Sequence, residues 1–227
     1  MIIRIPLIGL EYKRYHDHDL IKDHVTSILG ELDGVEYGEH IIVIHTHLKD
    51  FRKMYSHYTK KQLIENNGIV LHVPHYETIE AVKNNLGVTN RSSNNHDTNV
   101  IGVPSAINNS DIDLRKYEKD GSLLIIDSLK AHFDADFDIK SFITKLVEHA
   151  KSTGKDGVSL FVDMGSFYHY DKIDELIEHE LSIPSKYTDI KLRRFCIYHQ
   201  KDFNRLNKDQ KHSLHKHHSK QIVLTAE

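Results

Sequence analysis

Six apolar runs of strand length divide the 227-residue chain, with helical patterns between most of them. The runs are "HIIVIHT" (40–46), "IVLHVP" (69–74), "GSLLIIDS" (121–128), "GVSLFVDM" (157–164), "KLRRFCIY" (191–198) and "QIVLT" (221–225). Such near-continuous apolar runs, rich in β-branched residues, mark strands buried on both faces. After the first run, Phe51, Met54, Tyr55 and Tyr58 fall at i, i+3, i+4 and i+7, one face of a helix. "ETIEAVKNNLG" reads as a helix closed by Gly87. Ile139, Phe142, Ile143, Leu146, Val147 and Ala150 form a second stripe. Ile173, Leu176, Ile177 and Leu181 form a third, which Pro184 stops. Asn207 with Gln210 three residues on has the form of a capping box opening a last helix. Strand and helix alternating in this way predict right-handed βαβ crossovers, hence an α/β fold. Its sheet is mostly parallel, with helices on both faces. Ligands of such folds bind outside the carboxyl ends of the strands.

Composition narrows the class. Hydrophobic residues are 39% and charged residues 28%, which suits a soluble globular chain of this length with one large core. No apolar run approaches the roughly 20 residues of a membrane helix. "MIIRIPLIGLEYKR" has neither a basic start nor a small-residue cleavage site. A single cysteine, Cys196, excludes an intrachain disulfide and fits a reducing compartment. The expectation is a cytoplasmic protein without a membrane partner. A net charge of −3 carries no nucleic-acid signature. The basic stretch 186–220, Arg194 included, reads as a solvated face. Residues 1–39 form an N-terminal extension that the pattern does not place. The main domain spans 40–227, with an Asn/Ser-rich polar excursion at 88–119.

Histidine is the compositional outlier, at 19 residues. Several sit where strands end: His45 and His47, His72 and His75, and His199, with Asp127 and Asp163 beside them. In a parallel sheet these ends converge. Two imidazoles two residues apart plus a carboxylate suit a metal-dependent hydrolase, so one reading has His45 and His47 holding a divalent metal with Asp127 or Asp163. A phosphate-binding loop is excluded, because no glycine lies between Gly38 and Gly68 and no G-x-x-x-x-G-K-[ST] run occurs. Glu180 lies i+4 from Leu176 and i+7 from Ile173, on the apolar face of its own helix. A carboxylate there needs a partner. Cys196 sits inside "FCIY" and reads as buried. His217 and His218 fall i+3 and i+4 from Leu214, which turns one of them inward.

Five segments occur in a telling order: "HIIVIHTHLKDFRKMYSHYTKKQLIENNGIVLHV", "GSLLIIDSLKAHFDADFDIKSFITKLVEHAKSTGKDGVSLFVDM", "LIEHELSIP", "FCIYH" and "HKHHSKQIVL". Their order and spacing resemble the methanogen/methylotroph sensory (MEDS) domain over roughly residues 38–225. The resemblance implies a RecA/KaiC-like three-layer sandwich without a Walker A loop. It implies a non-enzymatic, histidine-rich sensory module of prokaryotic, here archaeal, signal transduction. The ligand would be a small molecule such as a simple hydrocarbon derivative. Output would pass through a separate kinase or transcription regulator, and self-association into a homo-oligomer is compatible. The family's positions match His40, Gly121 and Leu123, Glu180, Cys196 and Tyr198, and His218. With the strand ends added, the expected ligand-binding set is His40, His45, His47, Asp127, Asp163, Glu180, Cys196, Tyr198 and His218. No catalytic residue is expected, and no cofactor other than a divalent transition metal. The glycine-free turn at 46–50 predicts neither ATP hydrolysis nor tight ATP binding. Calorimetry showing micromolar affinity for Mg-ATP would contradict this.

Overall fold

The structure, a computed structural model, describes residues 30–87 and 113–224. Most of the N-terminal extension and residues 88–112 of the polar excursion lie outside them. Each of the six apolar runs supplies one strand: β1 His40–His45, β2 Ile69–Val73, β3 Leu123–Ile125, β4 Val158–Asp163, β5 Leu192–His199 and β6 Lys220–Leu224. All pair parallel in one sheet of order β3-β2-β4-β5-β1-β6. The helices are α1 Leu48–Ile64, α2 Ile79–Leu86, α3 Leu114–Lys119, α4 Ser128–Phe133, α5 Ile139–Ser152, α6 Gly165–His169, α7 Ile173–Leu181, α8 Gln200–Phe203 and α9 Lys208–His217. The fold is α/β, as the alternation predicts. The capping box forms on α9, with Asn207 and Gln210 satisfying each other's backbone N–H. Among the described residues no helix is long and apolar enough to cross a membrane.

Side chains alternate across each strand, and this sorts the core into two layers. One face of the sheet carries Ile42, Ile44, Leu71, Leu160, Val162, Cys196 and Tyr198. It packs against Leu146 of α5, Leu176 of α7 and Leu214 of α9. The other carries Ile41, Val43, Val70, Phe161, Phe195 and Ile197. It packs against Phe51, Met54, Tyr55 and Tyr58 of α1 and Val82 and Leu86 of α2. Leu32 and Val35 join this second core, fully buried, so the packed unit begins upstream of residue 40. The same alternation places His40 with Ile42 and Ile44, and His45 on the opposite face with Ile41 and Val43.

A tight crossing leads into β1. Gly38 donates its N–H to the Leu192 carbonyl at 2.7 Å and accepts from the Tyr187 N–H at 2.9 Å. Its φ of 93° is one that side-chain-bearing residues rarely adopt. A Cβ there would also collide with the Tyr187 carbonyl oxygen. Gly38→Ala is therefore expected to destabilise the protein by about 2 kcal/mol or more. Denaturant midpoints measure it, and an unchanged midpoint would show that the crossing tolerates rearrangement.

Candidate metal centre

Four elements deliver the centre. His40 opens β1, and the parallel register sets it opposite Arg194 and Ile42 opposite Cys196. Alternation along β5 puts Arg194, Cys196 and Tyr198 on one face. Helix α7 docks through Leu176, which turns Glu180, one turn later, onto the same surface. His218 caps the C-terminus of α9, its backbone N–H on the Leu214 carbonyl at 3.0 Å. Its Nδ1 lies 2.7 Å from that same carbonyl oxygen. A carbonyl only accepts, so the proton sits on Nδ1 and Nε2 faces the cluster.

The donor atoms of His40, Glu180, Cys196 and His218 all lie within 4.8 Å of one another. Glu180 Oε2 is 3.4 Å from His40 Nε2, 3.3 Å from His218 Nε2 and 3.4 Å from Cys196 Sγ. His40 Nε2 is 3.0 Å from Cys196 Sγ. A tetrahedral ion at the usual 2.0–2.3 Å from each ligand sets neighbouring donors about 3.3–3.8 Å apart. Three contacts match that spacing, and the His40–Cys196 contact needs only a few tenths of an ångström more. Despite its closeness to Glu180, His218 Nε2 makes no hydrogen bond, so its lone pair is available. His40, Glu180 and Cys196 are fully buried, and His218 is 7% exposed.

The electrostatics are those of a charged carboxylate held in the interior. Burial works to raise the Glu180 pKa, but the close approach of His218 and His40 and the charge of Arg194 outweigh it and hold the carboxyl well below the usual range. Burial, then the Glu180 charge, push the Cys196 thiol well up. Burial drives His40 down to about 4 against the pull of Glu180. The Tyr198 hydroxyl donates to Glu180 Oε1 at 3.1 Å. Arg194 Nε donates to Cys196 Sγ at 3.3 Å, and its Nη2 lies 3.2 Å from His179 Nε2. This group could hold a metal ion.

The strand ends are built differently. His45 is buried, stacked on Phe51 at 4.9 Å, and neither ring nitrogen is bonded. His47 is exposed at the start of α1, because β1 ends at His45 and the chain turns there. Asp127 caps α4 through the N–H groups of Leu129 and Lys130. Asp163 accepts from the N–H groups of His75, Tyr76 and Gly165. Burial still pushes its pKa up to about 7. The structure does not gather His45, His47, Asp127 and Asp163 into a metal-binding group among the described residues. The Tyr76 ring, bonded to Asp202, packs against both His45 and His199, which also contact each other. The cavity beside it measures about 10 Å³, room for one water.

Five positions that carry the family resemblance thus meet in one cluster: His40, Glu180, Cys196, Tyr198 and His218. Gly121 and Leu123 lie apart, at the far edge strand β3 and the turn before it. No protein-family model matches the chain, and no curated protein matches it. Sequence reasoning missed Arg194 by counting it in the solvated basic stretch; it is only 3% exposed. Its place two residues before Cys196 on a strand was the available signal.

Burial lowers His45 to about 4 and His72 to about 3. The folded values lie below the unfolded one near 6.5, so the unfolded state binds more protons under that pH. These histidines therefore stabilise fully above pH 6.5, and the contribution is lost as pH falls toward 4. Each gives a slope of up to about 1.4 kcal/mol per pH unit. Asp163, raised, acts with the opposite sign in this window, which a comparison of variants cancels. His45→Phe should keep or raise stability at pH 7.5 and lose less than the parent between pH 6.5 and 4.5. Denaturant midpoints at several pH values decide it, and parallel pH curves would mean that His45 is solvated.

Proposed function

We propose that the chain is a non-enzymatic regulatory module that holds a divalent transition metal of the zinc class at His40, Glu180, Cys196 and His218. The observation that supports it is the convergence of four mixed N, O and S donors, all within 4.8 Å of one another, inside a buried site. Thiolate and imidazole suit zinc, and a closed four-ligand set leaves no open position for a substrate. Leu214 orients His218 through Nδ1, and Tyr198 orients Glu180 through Oε1. Such outer contacts fix ligand geometry. Cys196 must lose its proton to serve as a ligand, so affinity should rise with pH. The resemblance to sensory domains supports a role in prokaryotic signalling, with output through another protein.

Metal analysis of tag-free protein tests the centre. About one equivalent per chain is expected after zinc loading and gel filtration, with at least a tenfold weaker hold in Cys196→Ser and Glu180→Gln. Cobalt loading should give a thiolate charge-transfer band that Cys196→Ser lacks. Parent protein that emerges without metal, or a Cys196→Ser variant that binds equally and shows the same band, overturns the reading.

A further inference from the structure

One opening on the α7 face lies away from the strand carboxyl ends. A cavity of about 310 Å³ lies beside the start of β5, between α5 and the 182–190 segment. That size is at the lower end of small-molecule sites, roughly 300–1,000 Å³. Ile143, Val147, Ile183, Tyr187, Ile190 and Leu192 wall it, and Arg194 lines its base. At the rim Lys140 donates to Ser182 Oγ at 2.9 Å, and Glu148 is the one acidic residue lining the cavity.

Arg194 makes this more than an apolar hollow. It is 3% exposed, and among the described residues it forms no ion pair with a carboxylate. Its hydrogen bonds run from Nε to Cys196 Sγ and from Nη2 to His179, and Nη1 has none among the described residues. A guanidinium stays charged in proteins; the Glu180 carboxylate offsets this charge from beyond direct hydrogen-bond contact, and Nη1 is left without an acceptor among the described residues. The cavity therefore presents a cationic donor at one end and an apolar body. One carboxylate with an alkyl chain matches both ends: a planar guanidinium for the charge and aliphatic walls for the chain.

We infer that this cavity binds a short-chain monocarboxylate, its carboxylate on Arg194 and its alkyl chain on Ile143, Val147 and Leu192. Arg194 also touches Cys196 Sγ, so the bound anion acts on a group in contact with the proposed metal site. What the binding is for rests on the regulatory reading above; the binding itself does not.

The probe is sodium butyrate added to the full-length protein, with melting followed by fluorescence. Sodium chloride at matched ionic strength and n-butanol serve as controls. Butyrate should raise the Tm by about 3 °C or more, since a ligand of the native state stabilises it, and neither control should. Arg194→Met should lose the shift. Thr144→Trp, at the exposed rim and remote from the metal ligands, should lose it too while melting cooperatively, and it decides the matter if Arg194→Met does not fold. A butyrate shift no larger than that of chloride, an equal shift with butanol, or a full shift in Thr144→Trp overturns the inference. The measurement is made on protein of known metal content. A butyrate shift in protein that cannot bind zinc upholds the cavity while the metal reading falls, and a zinc-binding protein blind to butyrate does the reverse.

Discussion

One carboxylate without access to water organises half of this molecule. Glu180 sits on the buried side of α7, and its negative charge is costly there unless other groups compensate it. The compensation arrives from three other places: His40 at the start of β1, Cys196, Tyr198 and Arg194 along β5, and His218 at the end of α9. Each lies on a different element, so docking α7, aligning β1 with β5 and ending α9 at His218 all answer to the same charge. Buried ion-pair sets of this kind add little net stability over apolar packing, while removing one member costs about 3–5 kcal/mol. That asymmetry makes the cluster a strict specification of geometry, which a ligand-holding site needs.

The sheet keeps this chemistry separate from that of the strand ends. Period two sends His40 and Cys196 to one face, and His45, His72 and Asp163 to the other. On the second face the described residues at the strand ends pack closely. Tyr76, His45 and His199 pack against one another, and three backbone N–H groups occupy Asp163. Burial keeps His45 and His72 neutral near pH 7, aromatic filling as much as titratable groups. The cavity of about 310 Å³ and the four candidate donor groups belong instead to the α7 face. Arg194 joins them, reaching Cys196 from one edge of its guanidinium and lining the cavity with the rest.

What the sequence determined by itself was local. Each of the six apolar runs became a strand, because continuous β-branched runs carry their own signal. The burial of Glu180 followed from its distance to Leu176 and Ile173 on one helix, and that of Cys196 from its central place in a strand. The inward turn at His217–His218 followed from the spacing to Leu214. Arg194 was hidden by the charges around it, although alternation with Cys196 carried the information. Only the tertiary structure decided which of these residues meet. His40 and Glu180 are far apart in the chain, and their contact depends on β5 lying next to β1, a register no local pattern encodes. The end of β1 at His45 sent His47 to solvent and dissolved the His-x-His site that the spacing suggested. Periodicity fixes which side of an element a residue faces. Where two elements lie side by side is set by long-range packing, and that packing built the centre on the face of the sheet rather than at its carboxyl end.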